Sequence, residues 1–448
     1  MENKNKLVVI SCPVASRSGY GDHSRDCVRG LIEKYPDWDI KIIPQRWGST
    51  PLNALQNGVD DDLITRLWLQ PQLPQQPDIW MQITVPNEFQ PVGKLNIGIT
   101  AGIETTAADP TWIEGINRMD MTIVPSQFSK EILEKSVYQK VDEKTKQPVG
   151  QLRVEKPIEV LFEGVDCNVY KKVKDFPVTI VNEMKQIPEQ FCWLFVGHWL
   201  AGEPGQDRKD VGMTIKTFLE NFKNIKNAPA LILKTSSATF SVIDKNEIIK
   251  KVEGIRRSVE AHTLPNVYLL HGDLTSEEIN ALYNHPKVKS MVSFTKGEGY
   301  GRPLAEFART GKPILVSNWS GHVDFINPKY HILLPGKLTP VHPSAQMKGM
   351  INEGTQWFTV DYAMAGGLLK EVHKNYKKYS EKSRGSGHYM KTEFSLEKMN
   401  DDMKVIFDKA MESKPQQVGL SLPKLKKVNE TENTPGKLTL PKLKKVTE

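Results

Sequence analysis

The chain has 448 residues, a formal net charge of +7, and 39% hydrophobic and 25% charged residues. This length exceeds what one hydrophobic core usually holds, so we expect two domains, and the composition is that of an ordinary soluble globular protein. The four cysteines are far apart and form no CxxC pair, which argues against disulfides and a zinc site: Cys12, Cys27, Cys167 and Cys192. The apolar run near the N-terminus is too short for a signal peptide, and no run of 18 apolar residues occurs. We therefore predict a cytoplasmic protein without a transmembrane segment.

The positive charge is concentrated at the C-terminus. From Lys414 to Glu448 there are eight lysines and three glutamates, which gives +5 and leaves about +2 for the rest of the chain. Two copies of LPKLKKV occur there with a period of 18 residues. Each copy is too short and too interrupted by proline to form a core, so residues 414–448 are predicted to be a disordered basic tail that docks a protein partner. One alternative is a merely solubilising tail. Another is nucleic-acid binding by the lysines, although the tail has no aromatic residues for base stacking.

The first half of the chain alternates between strand and helix patterns. Apolar runs predict strands at 7–11, 39–43, 79–84, 95–100 and 121–124. Gly19 and Gly21 form a glycine turn between the first strand and a helix, where an open α/β sheet binds its ligand. A tight turn without a ligand explains this short motif at least as well. Ser126 begins a further helix, either as a plain N-cap or as part of a functional junction.

The second half repeats the alternation after a polar, proline-punctuated linker at 171–190. Strands are predicted at 191–197, 230–235 and 266–272, a long helix at 361–382 and another at 396–411. Arg208 and Lys209 immediately precede an amphipathic helix. Two cations at a helix start oppose the helix dipole, so an anionic partner would explain them. Lys234, Leu270 and His271 lie at strand ends, although a lone histidine is more often an ordinary turn residue.

The most informative stretch is VSFTKGEGYGRPLAEFARTGKPIL, residues 292–315. An apolar strand leads into the turn Gly297–Gly301, and Pro303 opens a helix. Glycines before a helix N-terminus suit a phosphate, although a plain loop is an equally good explanation of the glycines alone. Glu298 and Glu306 are eight residues apart, and a carboxylate can accept two hydrogen bonds from vicinal hydroxyls. Glu306 therefore suits a ribose and Glu298 a sugar at the other end of a diphosphate.

The frame GEGYGRPLAEFARTGKPI, followed by SNWSGHVDFI, resembles the signature of the retaining, nucleotide-sugar-dependent glycosyltransferases of family 4. The resemblance covers about residues 7–411 and implies an α/β protein with the GT-B fold, in which two Rossmann-like domains face a central cleft. It places an acceptor-side domain at 1–172, a nucleotide-sugar-binding domain at 173–392 and a helix that crosses back to the first domain at 393–413.

The resemblance also implies roles for individual residues. The catalytic group would be Glu298, which contacts the sugar, with Arg208 and Lys209, which contact the diphosphate of a UDP- or GDP-linked donor without a metal. The donor-binding group would comprise Gly19, Gly21, Lys234, Leu270, His271, Gly299, Tyr300, Gly301 and Glu306. Two positions depart from the family pattern. Glu104, Thr105 and Thr106 stand where many members have a histidine, and His198 stands near the place of an arginine found in some relatives.

The acceptor is left open among a glycan, a lipid and DNA. One alternative function is that of viral glycosyltransferases that modify hydroxymethylated bases, which share the GT-B fold and would suit a basic tail. Another is a sugar-nucleotide-binding scaffold without catalysis. The presence of all four charged residues argues against this alternative: Arg208, Lys209, Glu298 and Glu306. The acidic run Asp60–Asp62 is predicted to be a helix start rather than a metal site.

Overall fold

The computed structural model describes residues 5–142, 144–237 and 240–413. It contains two six-stranded parallel sheets with helices packed on them and two short antiparallel hairpins. The predicted tail, with both LPKLKKV repeats, lies outside the described residues.

The first sheet has the strand order β2-β1-β3-β4-β5-β8 and is fully parallel. It confirms all five strands predicted in this half. In chain order the elements are β1 (Leu7–Cys12), α1 (Gly19–Lys34), β2 (Asp39–Pro44), α2 (Asp61–Ile64), β3 (Ile79–Ile83), β4 (Leu95–Ile99), α3 (Pro110–Arg118), β5 (Met121–Val124), α4 (Gln127–Lys135), the hairpin strands β6 (Tyr138–Val141) and β7 (Pro148–Leu152), and β8 (Ile158–Val160).

The second sheet has the order β11-β10-β9-β12-β13-β14 and is also parallel. The elements are α5 (Val178–Lys185), β9 (Cys192–Val196), α6 (Val211–Phe222), β10 (Ala230–Lys234), α7 (Val242–Arg257), β11 (Val267–Leu270), α8 (Ser276–Asn284), β12 (Val288–Ser293), α9 (Arg302–Ala308), β13 (Ile314–Ser317), β14 (Ile332–Leu334), the hairpin β15 (Gly336–Pro340) and β16 (Gln356–Val360), α10 (Tyr362–Lys374), α11 (Tyr376–Ser383), α12 (Ser386–Glu393) and α13 (Leu396–Ser413).

Burial explains why these segments are strands. A parallel sheet is covered on both faces, so its central strands are continuous apolar runs rather than alternating ones. Strand β9 has the sequence CWLFV, and Cys192 and Leu194 pack in one core while Trp193 and Phe195 pack in another on the opposite face. The same logic identified β1, whose residues are all buried.

The chain passes between the two sheets twice. Residues 161–177 connect β8 to α5, and the predicted boundary at Lys172 lies within this segment. Helix α13 then returns to the first sheet, where Met403 and Phe407 join the core and the Tyr35 hydroxyl donates to Asp408 at 2.8 Å. The two passages pair with each other, because the Val165 N–H donates to Phe394 O and the Leu396 N–H donates to Val165 O, both at 2.9 Å.

Two predictions about secondary structure are wrong. The predicted single helix at 361–382 is two helices, α10 and α11, separated at Asn375, which has φ −112° and ψ 34°. The break places the Tyr376 ring 5.3 Å from that of Phe191, a contact from outside the local sequence. The predicted linker at 171–190 contains α5, whose Ile180 and Met184 are buried in the second core.

The acidic run at 60–62 is a helix start, as predicted. Asp60 precedes α2, and Arg29 pairs with Asp60 at 2.7 Å and with Asp62 at 2.9 Å. Within residues 5–142, 144–237 and 240–413, no helix is both long enough and apolar enough to cross a bilayer.

Candidate active site at the domain interface

Most of the predicted site residues follow the carboxyl ends of strands in the second sheet. Arg208 and Lys209 follow β9, Lys234 ends β10, His271 follows β11 and Glu298 follows β12. Parallel neighbouring strands end at one edge, so these groups lie along the same side of the domain. This edge faces the loops that follow the strands of the first sheet.

Arg208 and Lys209 both reach Glu298. The distance from Lys209 Nζ to Glu298 Oε1 is 2.5 Å, and that from Arg208 Nη1 to Glu298 Oε2 is 3.2 Å. Thr295 Oγ1 donates to Glu298 Oε1 at 2.6 Å, and the Ser320 Oγ accepts the Glu298 N–H at 2.9 Å. Glu298 is only 6% exposed. The three predicted catalytic residues therefore form one charged cluster in which Glu298 is buried and the two cations are partly buried.

The electrostatics of this cluster follow from burial and pairing. Burial would raise the pKa of Glu298, but Lys209 and Arg208 overcome this effect and lower the pKa to about 2. Burial lowers the pKa of Lys209, an effect that Glu298 opposes and Arg208 reinforces. Glu298 therefore remains ionised at neutral pH, and the cations keep a partner in the absence of a ligand.

Glu104 brings a second carboxylate to the cluster from the first domain. Its Oε1 lies 3.0 Å from Arg208 Nη1. Burial raises the pKa of Glu104, Arg208 lowers it and Glu298 raises it further. An acid of the first domain thus faces Arg208, and this ion pair bridges the two domains.

The glycine turn at 297–301 packs against the first domain. A Cβ atom on Gly297 would lie 2.0 Å from Glu104 O, and one on Gly299 would lie 1.7 Å from Ala101 O. Ser126 Oγ donates to Gly299 O at 2.7 Å. Close contact between two backbones therefore requires these glycines, independently of any phosphate. Ser126 also caps α4, which confirms the N-cap, and a role at a functional junction stays a prediction.

Gly301 and Tyr300 occupy different surroundings in this turn. Gly301 has φ 106°, a left-handed conformation that favours glycine, and it precedes α9. The Tyr300 ring is buried in the core, with its centroid 4.7 Å from that of Phe325. The Tyr300 side chain therefore packs in the core, and the predicted contact with a ligand now concerns only the Tyr300 backbone.

Glu306 lies in α9, in a setting different from that of Glu298. Tyr283 OH donates to Glu306 Oε2 at 3.3 Å. Burial raises the pKa of Glu306 to about 7, against the effect of Arg302 and with that of Asp22. Arg302 itself crosses to the first domain, where its Nη1 lies 2.9 Å from Asp26 Oδ2. With a pKa of about 7, the Glu306 carboxyl group loses its proton as pH rises through neutrality.

The first glycine turn is held by its own residues. The Gly21 N–H donates to Ser18 Oγ at 3.1 Å, and a Cβ on Gly21 would lie 2.1 Å from Ser16 O. Tyr20, between Gly19 and Gly21, is within hydrogen-bond distance of Thr100 and accepts the Ala101 N–H, both at 2.9 Å. The turn therefore supports the loop that touches Gly299. Tight turning explains Gly21, and donor binding by Gly19 and Gly21 stays a prediction.

The residues predicted to face the base form a second group. Lys234 Nζ donates to Gly272 O at 2.7 Å, and His271 Nε2 lies 2.7 Å from Asp244 Oδ2. Leu270 is half-buried at the end of β11. Asp273 follows directly and pairs with Arg17 of the first domain at 2.8 Å. Lys234 and His271 therefore have hydrogen-bond partners of their own, apart from the cluster around Glu298.

Sequence reasoning missed three groups that shape the site: Ser320, Thr295 and the pair Arg302–Asp26. Thr295 lies just before the glycine turn, and Ser320 follows a strand end, so their position was a usable signal. Asp26 and Arg302 lie in different domains, and nothing local links them. Among the described residues, no group of three or more His, Cys, Asp or Glu side chains could hold a metal ion.

Comparison with known proteins gives structural matches alone. The sequence matches no family model and no curated protein. HepE from Anabaena, solved with UDP and glucose, has 11% identity and a TM-score of 0.58, covering 90% of this chain and 100% of that one. Sucrose-phosphate synthase from Thermosynechococcus elongatus has 11% identity and a TM-score of 0.59, covering 92% and 100%. A glycosyltransferase from Rickettsia africae has 13% identity and a TM-score of 0.59, covering 92% and 100%.

These matches cover 90–92% of this chain, which contains two six-stranded parallel sheets. The chain therefore has the GT-B fold predicted from its sequence. At such low identity the similarity concerns the fold.

Proposed function

We propose that this protein is a glycosyltransferase that moves a sugar from a UDP- or GDP-linked donor to an acceptor hydroxyl with retained configuration. The observation that carries the proposal is the convergence of Arg208 and Lys209 on Glu298 at the domain interface. Two partly buried cations beside a cleft suit a diphosphate leaving group. The GT-B fold and the resemblance of residues 297–314 and 317–326 to the family 4 signature support the same assignment.

In the proposed reaction, the bond between the anomeric carbon and the β-phosphate oxygen breaks, and a bond to the acceptor oxygen forms. The acceptor proton passes to the departing phosphate. Negative charge grows on the diphosphate, and Arg208 and Lys209 stabilise it in a site that excludes most water. These fixed cations do the electrostatic work that a divalent metal does in other transferases. Glu298, ionised because of the same cations, would accept hydrogen bonds from the sugar hydroxyls.

Donor binding would change the pairing of the cations. In the ligand-free protein, Glu104 and Glu298 neutralise Arg208 and Lys209. A diphosphate carries the charge to take over part of this role. We propose that the donor exchanges with carboxylates that already hold the cations in place.

A donor screen tests the proposal. Thermal shifts should be measured with UDP, GDP and their sugar conjugates, followed by donor hydrolysis without an acceptor. We expect stabilisation by one nucleoside diphosphate series, and slow hydrolysis of its sugar conjugate in the presence of EDTA. Binding without hydrolysis or transfer would support the scaffold alternative, and absence of binding to every nucleotide would contradict the proposal.

Replacing Glu306 by Ala should weaken nucleotide binding by about 1–3 kcal/mol, because the ribose hydroxyls would lose a charge-assisted partner. With a pKa of about 7, wild-type Glu306 gains its charge as pH rises, so nucleotide affinity should increase between about pH 6 and 8. Glu306→Gln should flatten this rise. Isothermal titration calorimetry across pH measures both effects.

The exposed Glu247 on α7 offers a matched control, since Glu247→Ala should leave nucleotide affinity and its pH dependence unchanged. Wild-type affinity in Glu306→Ala would show that the ribose assignment is wrong.

The tail at 414–448 should dock a protein partner and be dispensable for chemistry, because its repeats contain no residue type that the transfer needs. A variant ending at Ser413 should transfer sugar to a small free acceptor at the wild-type rate but bind its macromolecular target more weakly. Two copies that engage one partner should contribute more than additively. Activity assays and binding assays on the same variant measure both expectations.

Scrambling each repeat at constant composition is the control. A specific motif predicts that scrambling abolishes binding and that the repeated leucines matter most: Leu422, Leu425, Leu440 and Leu443. Preserved binding with a steep salt dependence would instead indicate a diffuse cationic tail. Loss of activity on free acceptors would place the tail in the catalytic fold.

A further inference from the structure

A lysine and an aspartate form a buried ion pair directly behind the two site cations. Lys296 is 1% exposed and Asp210 is 0% exposed, and Lys296 Nζ lies 3.2 Å from Asp210 Oδ2. Tyr362 OH donates to the same carboxylate oxygen at 2.6 Å, and Lys296 Nζ donates to Thr359 Oγ1 at 3.1 Å. A buried ion pair seldom stabilises a fold more than apolar side chains of the same volume would. Its presence here calls for a reason other than stability.

Both charged residues are chain neighbours of the candidate site. Asp210 follows Lys209, and Lys296 precedes Gly297. The Lys296 N–H donates to Arg208 O at 2.7 Å, and Arg208 Nη1 donates to Gly297 O at 2.9 Å. The buried pair therefore ties the loop after β9 to the turn after β12, and these are the two segments that carry the cations and Glu298.

The backbone around the cations is held in an unusual conformation. Asp210 has φ 50° and ψ 40°, in the left-handed region that non-glycine residues seldom occupy. Thr214 Oγ1 donates to Asp210 O at 2.8 Å. Asp207, also 0% exposed, accepts the Val211 N–H at 3.1 Å. Buried aspartates thus fix the loop on both sides of the cationic dipeptide, whose own side chains reach Glu298.

We propose that Lys296, Asp210 and Tyr362 are positioning residues that set the spacing between the Arg208–Lys209 dipeptide and the glycine turn for a diphosphate group. This inference rests on the proposed function for the identity of the ligand. Its structural part, the fixing of the loop, stands without any ligand.

Hydrogen exchange tests the structural part on the ligand-free protein. Lys296→Met leaves Asp210 with Tyr362 as its remaining side-chain partner, so peptides covering 207–211 should exchange about tenfold faster than in the wild type. Lys312→Met is the matched control: Lys312 Nζ donates to the carbonyls of Tyr283, His285 and Val288, and Lys312 precedes β13 at the edge of the sheet opposite the site. Its loss should leave exchange at 207–211 unchanged. Equal exchange in wild type and Lys296→Met overturns the inference.

Nucleotide selectivity tests the functional part. In Lys296→Met, the ratio of UDP to UMP affinity should fall about tenfold, or the ratio of GDP to GMP affinity if the wild type prefers guanine. The monophosphate affinity of Lys296→Met should stay near wild type. The kcat of the control Lys312→Met should also stay near wild type. An unchanged ratio in Lys296→Met overturns the inference. A wild type with no preference for diphosphates would contradict the proposed function, and the exchange experiment would still decide whether the loop is fixed by this pair.

Tyr362→Phe keeps the inference testable if Lys296→Met does not fold. It removes a single hydroxyl from Asp210 and retains the ion pair. We expect faster exchange at 207–211 and a lower diphosphate preference, both smaller than in Lys296→Met. Wild-type values of both quantities in Tyr362→Phe overturn the inference.

Discussion

Removing the charge of Arg208 or Lys209, as in Arg208→Met and Lys209→Met, should lower kcat about ten- to a thousandfold, equivalent to about 1.4–4 kcal/mol of transition-state stabilisation. The two side chains converge on the buried Glu298, where a leaving diphosphate would develop its charge. Their interaction with that charge strengthens as the bond breaks, so turnover should fall more than donor affinity. Steady-state kinetics with independent nucleotide titration separates the two effects.

Two further variants sharpen this result. Arg208→Lys keeps the charge but loses the planar group that contacts Gly297 O, Glu104 and Glu298, so its kcat should lie between those of wild type and Arg208→Met. Arg29→Met removes an arginine that pairs with Asp60 and Asp62 rather than with Glu298, and it should leave kcat unchanged. Loss of donor affinity with unchanged turnover would show that the cations only anchor the substrate.

Replacing Gly299 by Ala should lower turnover about a hundredfold or more while the protein stays folded. Gly299 has no positive φ, so alanine is compatible with its own backbone. The added methyl group would lie 1.7 Å from Ala101 O, however, and would push the first domain away from the turn. A displacement of about 1 Å at a reacting centre is enough for such a loss. Steady-state kinetics would measure the loss of turnover. The radius of gyration from small-angle scattering would measure the separation of the domains, and thermal unfolding would show whether the protein stays folded.

The control for this variant is Gly367→Ala in α10, where a methyl group would meet nothing within 4 Å. It should be neutral or slightly stabilising, since alanine is the better helix former. Unchanged kcat and unchanged radius of gyration in Gly299→Ala would mean that the contact between Gly299 and Ala101 is not part of the catalytically competent arrangement.

Local patterns predicted the strands and the glycine turns because their determinants are local. Apolar runs such as 192–196 identify buried strands, and glycines with a following proline identify the turn and helix at 297–303. The GT-B fold came from the resemblance carried by the second turn. The break at Asn375 was not predicted because it depends on the distant ring of Phe191 rather than on a glycine or proline.

Contacts between the domains could not be predicted either, because they also depend on residues that are distant in the sequence. Ser126 and Gly299 are 173 residues apart, and their hydrogen bond exists only after both sheets have formed. Glu104 was noted from the sequence as a departure from the family pattern, but its pairing with Arg208 requires the second domain. The burial of Lys296 was not predicted, because a lysine before a glycine turn is ordinarily solvated.

We expect the paired passages at Val165 and Leu396 to act as a hinge between the two domains. Because two hydrogen-bonded crossings resist twisting, we expect the domains to separate by rotation about the line that joins the two crossings. Strand β1 lies four strands from β8 in the first sheet, about 19 Å away at a spacing of about 4.8 Å, so a rotation of about 10° moves it by about 3 Å. Arg17 and Asp273 sit at that outer margin and form an ion pair that is partly exposed. If the cleft opens in this way, its mouth should open first beside His271, where the base of the proposed nucleotide donor would enter.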